Sequence, residues 1–100
     1  MQLDIQTHHL TQIIEILKTY LPKNAKVYAF GSRARNDAKQ YSDLDLAIDL
    51  GAKIDFQLEC NLKVAFEDSL IPYNVDIIDL NSINKSFKNN IEDDLIELNF

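Results

Sequence analysis

The chain has 100 residues, 46% of them hydrophobic and 26% charged, with two Gly, two Pro and a single Cys. That is one domain with room for one modest core, and the composition excludes a collagen-like repeat, a linker or a disordered tail. A net charge of −6 excludes a protein that coats nucleic acid or an anionic membrane, because those partners need a basic surface, yet a few placed cations suffice to hold a nucleotide.

The elements follow in order. Leu10, Ile13, Ile14, Leu17 and Leu21 recur at helical spacing, so a first helix is expected, with Thr7 as its N-cap and Pro22 as its stop. Residues 26–30, KVYAF, are β-branched and aromatic and end at Gly31, which predicts a strand. Residues 32–38 favour a short helix capped by Ser32. Residues 43–50 alternate strictly: Leu44, Leu46, Ile48 and Leu50 point one way, and Asp43, Asp45, Ala47 and Asp49 the other. This predicts a strand with one packed and one acidic face. Asp55 then caps a helix carrying Leu58, Leu62, Ala65 and Phe66, a strand runs over 74–79, and Ser82 caps a last helix with Ile83, Phe87, Ile91 and Leu95 inward. The tail LIELNF reads equally as helix end or short strand. The reading is a single small α/β domain over residues 1–100, α-β-α-β-α-β-α, with a mixed three-stranded sheet and flanking helices. Cys60 alone makes no internal disulfide, Met1 to Asp4 lack the features of a signal peptide, and no apolar stretch approaches the ~20 residues of a membrane span. A cytoplasmic protein is expected, with no membrane and no direct nucleic-acid binding.

Chemistry concentrates in Gly31-Ser32, a connection rich in cations, and Asp43-Leu44-Asp45. Carboxylates at i and i+2 of a strand share a face with Cα atoms ~6.6 Å apart, so they can converge on a pair of metal ions ~3.5–4 Å apart. Oxygen-only ligands suit Mg²⁺ or Mn²⁺ rather than zinc. Gly31 permits close approach of a ligand to the backbone, and amides at a strand-to-helix turn favour phosphate. If Gly31-Ser32 closes one strand and Asp43 opens the next at the same site, the two strands run antiparallel. A third carboxylate then comes from a strand starting at that edge; Asp76 meets this demand if its strand is parallel to the second. Asp79, three residues on, faces the other way. Arg33, Arg35 and Lys39 stand where they can hold phosphate oxygens.

The stretch GSRARNDAKQYSDLDLAID, with VDIID downstream, resembles the minimal nucleotidyltransferases of the DNA polymerase β superfamily. The resemblance covers nearly the whole chain. It departs at Asn36, where relatives often carry Gly, and at Asp93-Asp94, where they often carry Glu-Gly. Members are commonly paired with a HEPN-domain toxin as its antitoxin, and several transfer AMP from ATP to a tyrosine hydroxyl of that partner. The resemblance implies that Gly31 and Ser32 grip the β- and γ-phosphates. It implies that Asp43 and Asp45 hold two Mg²⁺ ions, and that Asp76 completes the catalytic metal site and helps deprotonate the attacking hydroxyl. With no residues beyond Phe100 for an acceptor-binding domain, the acceptor is expected on a partner chain or a second copy. Two other functions fit the same residues: an antitoxin that neutralises by binding alone, and a nucleotidyltransferase with a small aminoglycoside-like acceptor.

Other features have plainer readings. Asp43 and Asp45 alone would pass for a solvated strand face that discourages edge pairing. His8 and His9 are adjacent, hence on different helix faces, and read as solvated. Cys60 reads as a packed thiol, Tyr41 as a residue able to stack on a base, and Glu92-Asp93-Asp94 as a solvated face.

Overall fold

The structure, a computed structural model, describes residues 4–35, 38, 39 and 42–99. Helix α1 (Thr7–Tyr20) is followed by strand β1 (Lys26–Phe30), strand β2 (Leu44–Asp49), helix α2 (Phe56–Glu67), strand β3 (Val75–Asp79), helix α3 (Lys85–Ile91), a 3₁₀ turn (Glu92–Asp94) and strand β4 (Ile96–Leu98). The strands form one sheet in the order β3-β2-β1-β4. β1 is antiparallel to β2 and β3 is parallel to β2, as the shared-site argument requires.

The expected three-stranded sheet is corrected to four strands. The ambiguous tail pairs as β4, antiparallel to β1, with Val27 opposite Leu98 and Ala29 opposite Ile96. Leu98 is thereby buried, and the otherwise open edge of β1 gains hydrogen-bonded partners. The helix expected over 32–38 is also corrected. Residues 32–35 make a turn, in which the Ala34 and Arg35 amides both donate to the Gly31 carbonyl (3.1 Å each). The physical reason is tertiary: the Arg33 side chain is drawn inward, as described below, and the chain must close back onto Ser42. Asn36 and Tyr41 lie outside the described residues.

α1 and α2 cover one face of the sheet. Ile13, Leu17 and Leu62, fully buried, meet Val27, Leu44, Leu46 and Ile48 of the strands, with Phe66 beside them. Each such aliphatic side chain contributes about 1.5–3 kcal/mol by leaving water. The other face is not simply acidic. Ala47 is fully buried there against Phe30 and Ile91, with Tyr28, Ile78 and Leu95 alongside, so α3 packs on the side opposite α1 and α2. A small residue between two Asp is where that helix can approach.

The caps differ in detail. Asp55 caps α2 as expected, accepting from the Gln57 and Leu58 amides. α1 starts after Gln6, without a side-chain cap, and Thr7 is its first residue. α3 is capped by Asn84, because Ser82 is already engaged with Asp79, its Oγ donating to Oδ2 at 2.8 Å. No helix among the described residues is long and apolar enough to cross a membrane.

Candidate active site

The register of the sheet sets out a row across its upper edge: Phe30 opposite Asp45, and Asp45 opposite Asp76. Adjacent strands stand ~4.8 Å apart, so the two carboxylates spring from neighbouring positions of parallel strands. Asp43 lies just before β2 at the same edge. Asp43 and Asp76 are exposed and Asp45 is half-buried. Burial pushes the Asp45 carboxyl above the usual range, and the nearby Asp76 and Asp43 charges push it the same way, with Arg35 opposing them.

Gly31 follows Phe30 with φ +78°, a conformation that penalises any Cβ. It also has no room for one: a Cβ there would overlap Asp45 Oδ2. The backbone of the Gly31-Ser32 turn is thus seated against the Asp45 carboxylate, and Ser32 starts the turn half-buried beside it.

Arg33 departs from the nucleotide contact expected of it. Its side chain is buried, only 5% exposed. Nε donates to the Ser42 carbonyl (3.0 Å) and Nη1 to the Asp4 carbonyl (2.8 Å), while the guanidinium lies 3.8 Å from the centre of the Tyr73 ring. The Asp4 amide returns a bond to the Arg33 carbonyl (2.9 Å). One side chain therefore ties the Gly31-Ser32 turn to the residue before Asp43 and to the segment leading into β3. Arg35 reaches solvent near the row and pairs with Asp94 at 3.4 Å. Lys39 is exposed, and its backbone clasps Ser42: its amide donates to Ser42 Oγ and its carbonyl accepts from the Ser42 amide.

Asp49 and Asp79 sit at the opposite end of their strands. Asp49 accepts from the Gly51 amide and Asn81 Nδ2. Asp79 accepts from the Ile54 and Asn81 amides and Ser82 Oγ. For Asp79 burial acts upward, but these hydrogen bonds prevail and hold its pKa below the usual value. Both build the lower turns rather than the row. His9, expected in solvent, instead packs edge-on against Tyr73, with ring centres 5.6 Å apart. No periodicity in the sequence marks Tyr73, which lies outside any regular element. Nor did it mark the cavity beside Asp43 and Asp76, which is lined by Lys63, Phe66, Glu67 and Asn74.

No group of three His, Cys, Asp or Glu among the described residues is already drawn together to hold a metal ion. The donor chemistry nevertheless fits a hard divalent cation. It consists of carboxylate oxygens alone, two of the three on exposed side chains, and their mutual repulsion at Asp45 is what a cation would relieve.

A parallel β2–β3 pair bearing facing Asp residues, preceded by an antiparallel strand that ends in Gly-Ser, defines a nucleotidyltransferase fold. The chain belongs to the polymerase β nucleotidyltransferase family, whose model matches residues 11–98. It is 41% identical over 87 residues to a Haemophilus influenzae protein named "Probable protein adenylyltransferase MntA", covering 87% of this chain and 75% of that one. It is 37% identical over 94 residues to a Methanocaldococcus jannaschii protein also named as a protein adenylyltransferase, covering 87% and 95%. Among solved structures, it resembles a toxin–antitoxin complex with AMP-PNP at a TM-score of 0.64 and 27% identity. There it covers 78% of this chain and spans 62% of the matched one. It also resembles a chain of an MntA toxin–antitoxin mutant complex at a TM-score of 0.70 and 26% identity, covering 88% and 69%.

Proposed function

We propose that this protein is a protein adenylyltransferase that moves AMP from ATP to a tyrosine hydroxyl of a HEPN-type toxin, and so acts as the antitoxin in the cytoplasm. The observation that carries the reading is the row Phe30–Asp45–Asp76, in register across three strands, with Gly31 directly after Phe30 seated against Asp45 and Asp43 at the same edge. The names of the similar proteins, adenylyltransferases and toxin–antitoxin complexes, support the donor and the kind of partner.

In this reading the Gly31-Ser32 turn receives the β- and γ-phosphates, and Arg35 lends positive charge beside them. Asp43, Asp45 and Asp76 would hold two Mg²⁺ ions, which when bound supply the charge that neutralises the triphosphate and the leaving group. The attacking hydroxyl oxygen forms its bond to the α-phosphorus, the bridging bond to the β-phosphate breaks, and pyrophosphate leaves. Asp76 stands beside the incoming hydroxyl and receives its proton. Arg33 does not touch the nucleotide; it holds the turn, Ser42 and Tyr73 together so that the row keeps its spacing. Such catalysis is mainly positioning and electrostatics.

The test is transfer of label from α-³²P-ATP to the purified toxin with Mg²⁺, alongside γ-labelled ATP and Asp43→Asn/Asp45→Asn. Label from the α-position only, lost in the variant, is the expected result. An unlabelled toxin that the Asp variant still neutralises would establish the binding-only antitoxin instead.

A further inference from the structure

We infer that the outward groove between α1 and α2 is a docking surface for a basic amphipathic helix of the toxin, separate from the carboxylate row; this rests on the toxin partner named above, not on the transfer chemistry. Exposed apolar side chains mark the place. Leu70 is 86% exposed, Val64 54% and Tyr20 41%, three of the five large hydrophobic residues left in solvent among the described residues. All three line one groove of about 560 Å³, between the second half of α1 and the C-terminal end of α2 with the turn that follows. Half-buried Ile16 lies with them. Scattered singly they would mean little, but gathered in one concavity they mark an interaction site.

The walls select the occupant. Both are helices, whose backbone groups are bonded within each helix. A strand laid between them would leave its own N–H and C=O groups without partners on that side. A helix arrives with its backbone satisfied and sets a ridge of side chains into the groove, anchored at i, i+3 or i+4, and i+7.

The charge selects its flanks. Glu15 stands on the α1 wall and Asp68 at the end of α2, both exposed, and no Lys, Arg or His lines the groove. Neither carboxylate is in an ion pair among the described residues. Lys or Arg beside the apolar anchors would complement them. A second copy of this chain fits badly. A two-fold contact through this face would bring two Glu15 and two Asp68 together with no cation, in a chain that already carries −6.

Position separates the groove from the chemistry. α1 and α2 turn Ile13, Leu17, Leu62 and Phe66 to the sheet, so the groove opens away from it, while Ala47 and α3 lie on the sheet's other face, the one that carries Asp45. A toxin held here leaves the row open to nucleotide and raises its own effective concentration beside it.

The experiment alters the groove in two ways. Val64→Gln/Leu70→Gln removes exposed apolar surface, and Glu15→Lys/Asp68→Lys reverses the sign of the rim; a thermal melt of each shows that it folds. Affinity for purified toxin is measured by calorimetry at low and at high salt, and Mg-AMP-PNP affinity alongside. Sedimentation reports self-association, and hydrogen exchange on the complex reports which toxin segment is protected.

The expected result is a toxin Kd raised about tenfold or more by the Gln pair at either salt. The Lys pair should raise it about tenfold at low salt and much less at high salt. AMP-PNP affinity should not change, and the protected toxin segment should be a helix flanked by Lys or Arg. Unchanged toxin affinity in both variants would overturn the inference, as would loss of self-association in place of toxin binding, which gives the groove to a second copy. Protection of an extended segment, or tighter binding by the Lys pair, would overturn the basic helix. Toxin that binds through the groove yet takes no α-label removes the enzymatic reading and leaves this inference standing, whereas labelled toxin with indifferent variants removes this inference alone.

Discussion

Gly31 and Gly51 offer a matched pair of perturbations. Their φ values are +78° and +77°, so replacing either by Ala carries the same left-handed backbone penalty, ~1–2 kcal/mol. Their surroundings differ. A Cβ at Gly51 meets nothing within 4 Å, whereas one at Gly31 overlaps Asp45 Oδ2. The atom struck is the end of a side chain, so Asp45 can swing aside at little further cost to stability.

Both variants should therefore melt lower by a similar amount, with roughly 4–8 °C per kcal/mol for a domain of this size. Activity should separate them. On the proposed role of Asp45 as a metal ligand, displacing its carboxylate by about 1 Å is worth on the order of a hundredfold in rate. Gly31→Ala should thus lose about that much kcat in the α-label assay while Gly51→Ala keeps wild-type kcat. Melting curves by circular dichroism and initial rates on the same preparations make the comparison. If Gly31→Ala transfers as well as Gly51→Ala, the contact between the Gly31-Ser32 turn and Asp45 has no bearing on the chemistry. If it alone fails to fold, the overlap is absorbed by backbone rather than by Asp45.

Other outcomes follow from individual residues. The raised pKa of Asp45 means that the folded state disfavours its ionised form, an effect absent below the ordinary value of 3.8 and fully present once pH exceeds the raised folded value. Asp45→Asn should accordingly melt higher than wild type at pH 7 in EDTA and lose that advantage near pH 3.5, and on the proposed metal role added Mg²⁺ should raise the melting temperature of wild type more than that of the variant. A variant that is no more stable at pH 7 would contradict the crowding argument. Asp79 has the opposite sign: its pKa is lowered, so its contribution is present above 3.8 and fades as pH falls through the folded value. Asp79→Asn should lose about 1–2 kcal/mol at neutral pH, with little loss below pH 3 and with kcat intact, measured by urea titration at each pH. Arg33→Lys keeps the charge but not the planar fork that reaches both the Ser42 and Asp4 carbonyls. Its kcat should fall with ATP KM nearly unchanged; a rise confined to ATP KM would restore the direct phosphate contact.

The alternation of residues 43–50 and the helical spacing of Leu10 to Leu21 were legible in the sequence because they depend only on which face of an element is dry. Asking where Gly31, Asp43 and Asp76 must meet gave the antiparallel and parallel pairings that the sheet shows. The burial of Arg33 was not legible in the sequence for a definable reason. Its neighbours in sequence suggest a solvated cationic turn, and nothing local reveals that the Asp4 and Ser42 carbonyls and the Tyr73 ring converge on it from 29, 9 and 40 residues away. The tail was undecidable for a similar reason: LIELNF becomes β4 only because the edge of β1 stands open beside it.

The sequence by itself determined the residue types and spacing of the carboxylate row, since a strand's two-residue period and the conformational freedom of Gly31 are local properties. Tertiary structure alone decided that Asp45 and Asp76 are register partners, that Arg33 is a brace, and that a cavity opens on the far side of the row. Each of these depends on distant segments being brought together by packing, and local propensity carries no record of distance across a fold.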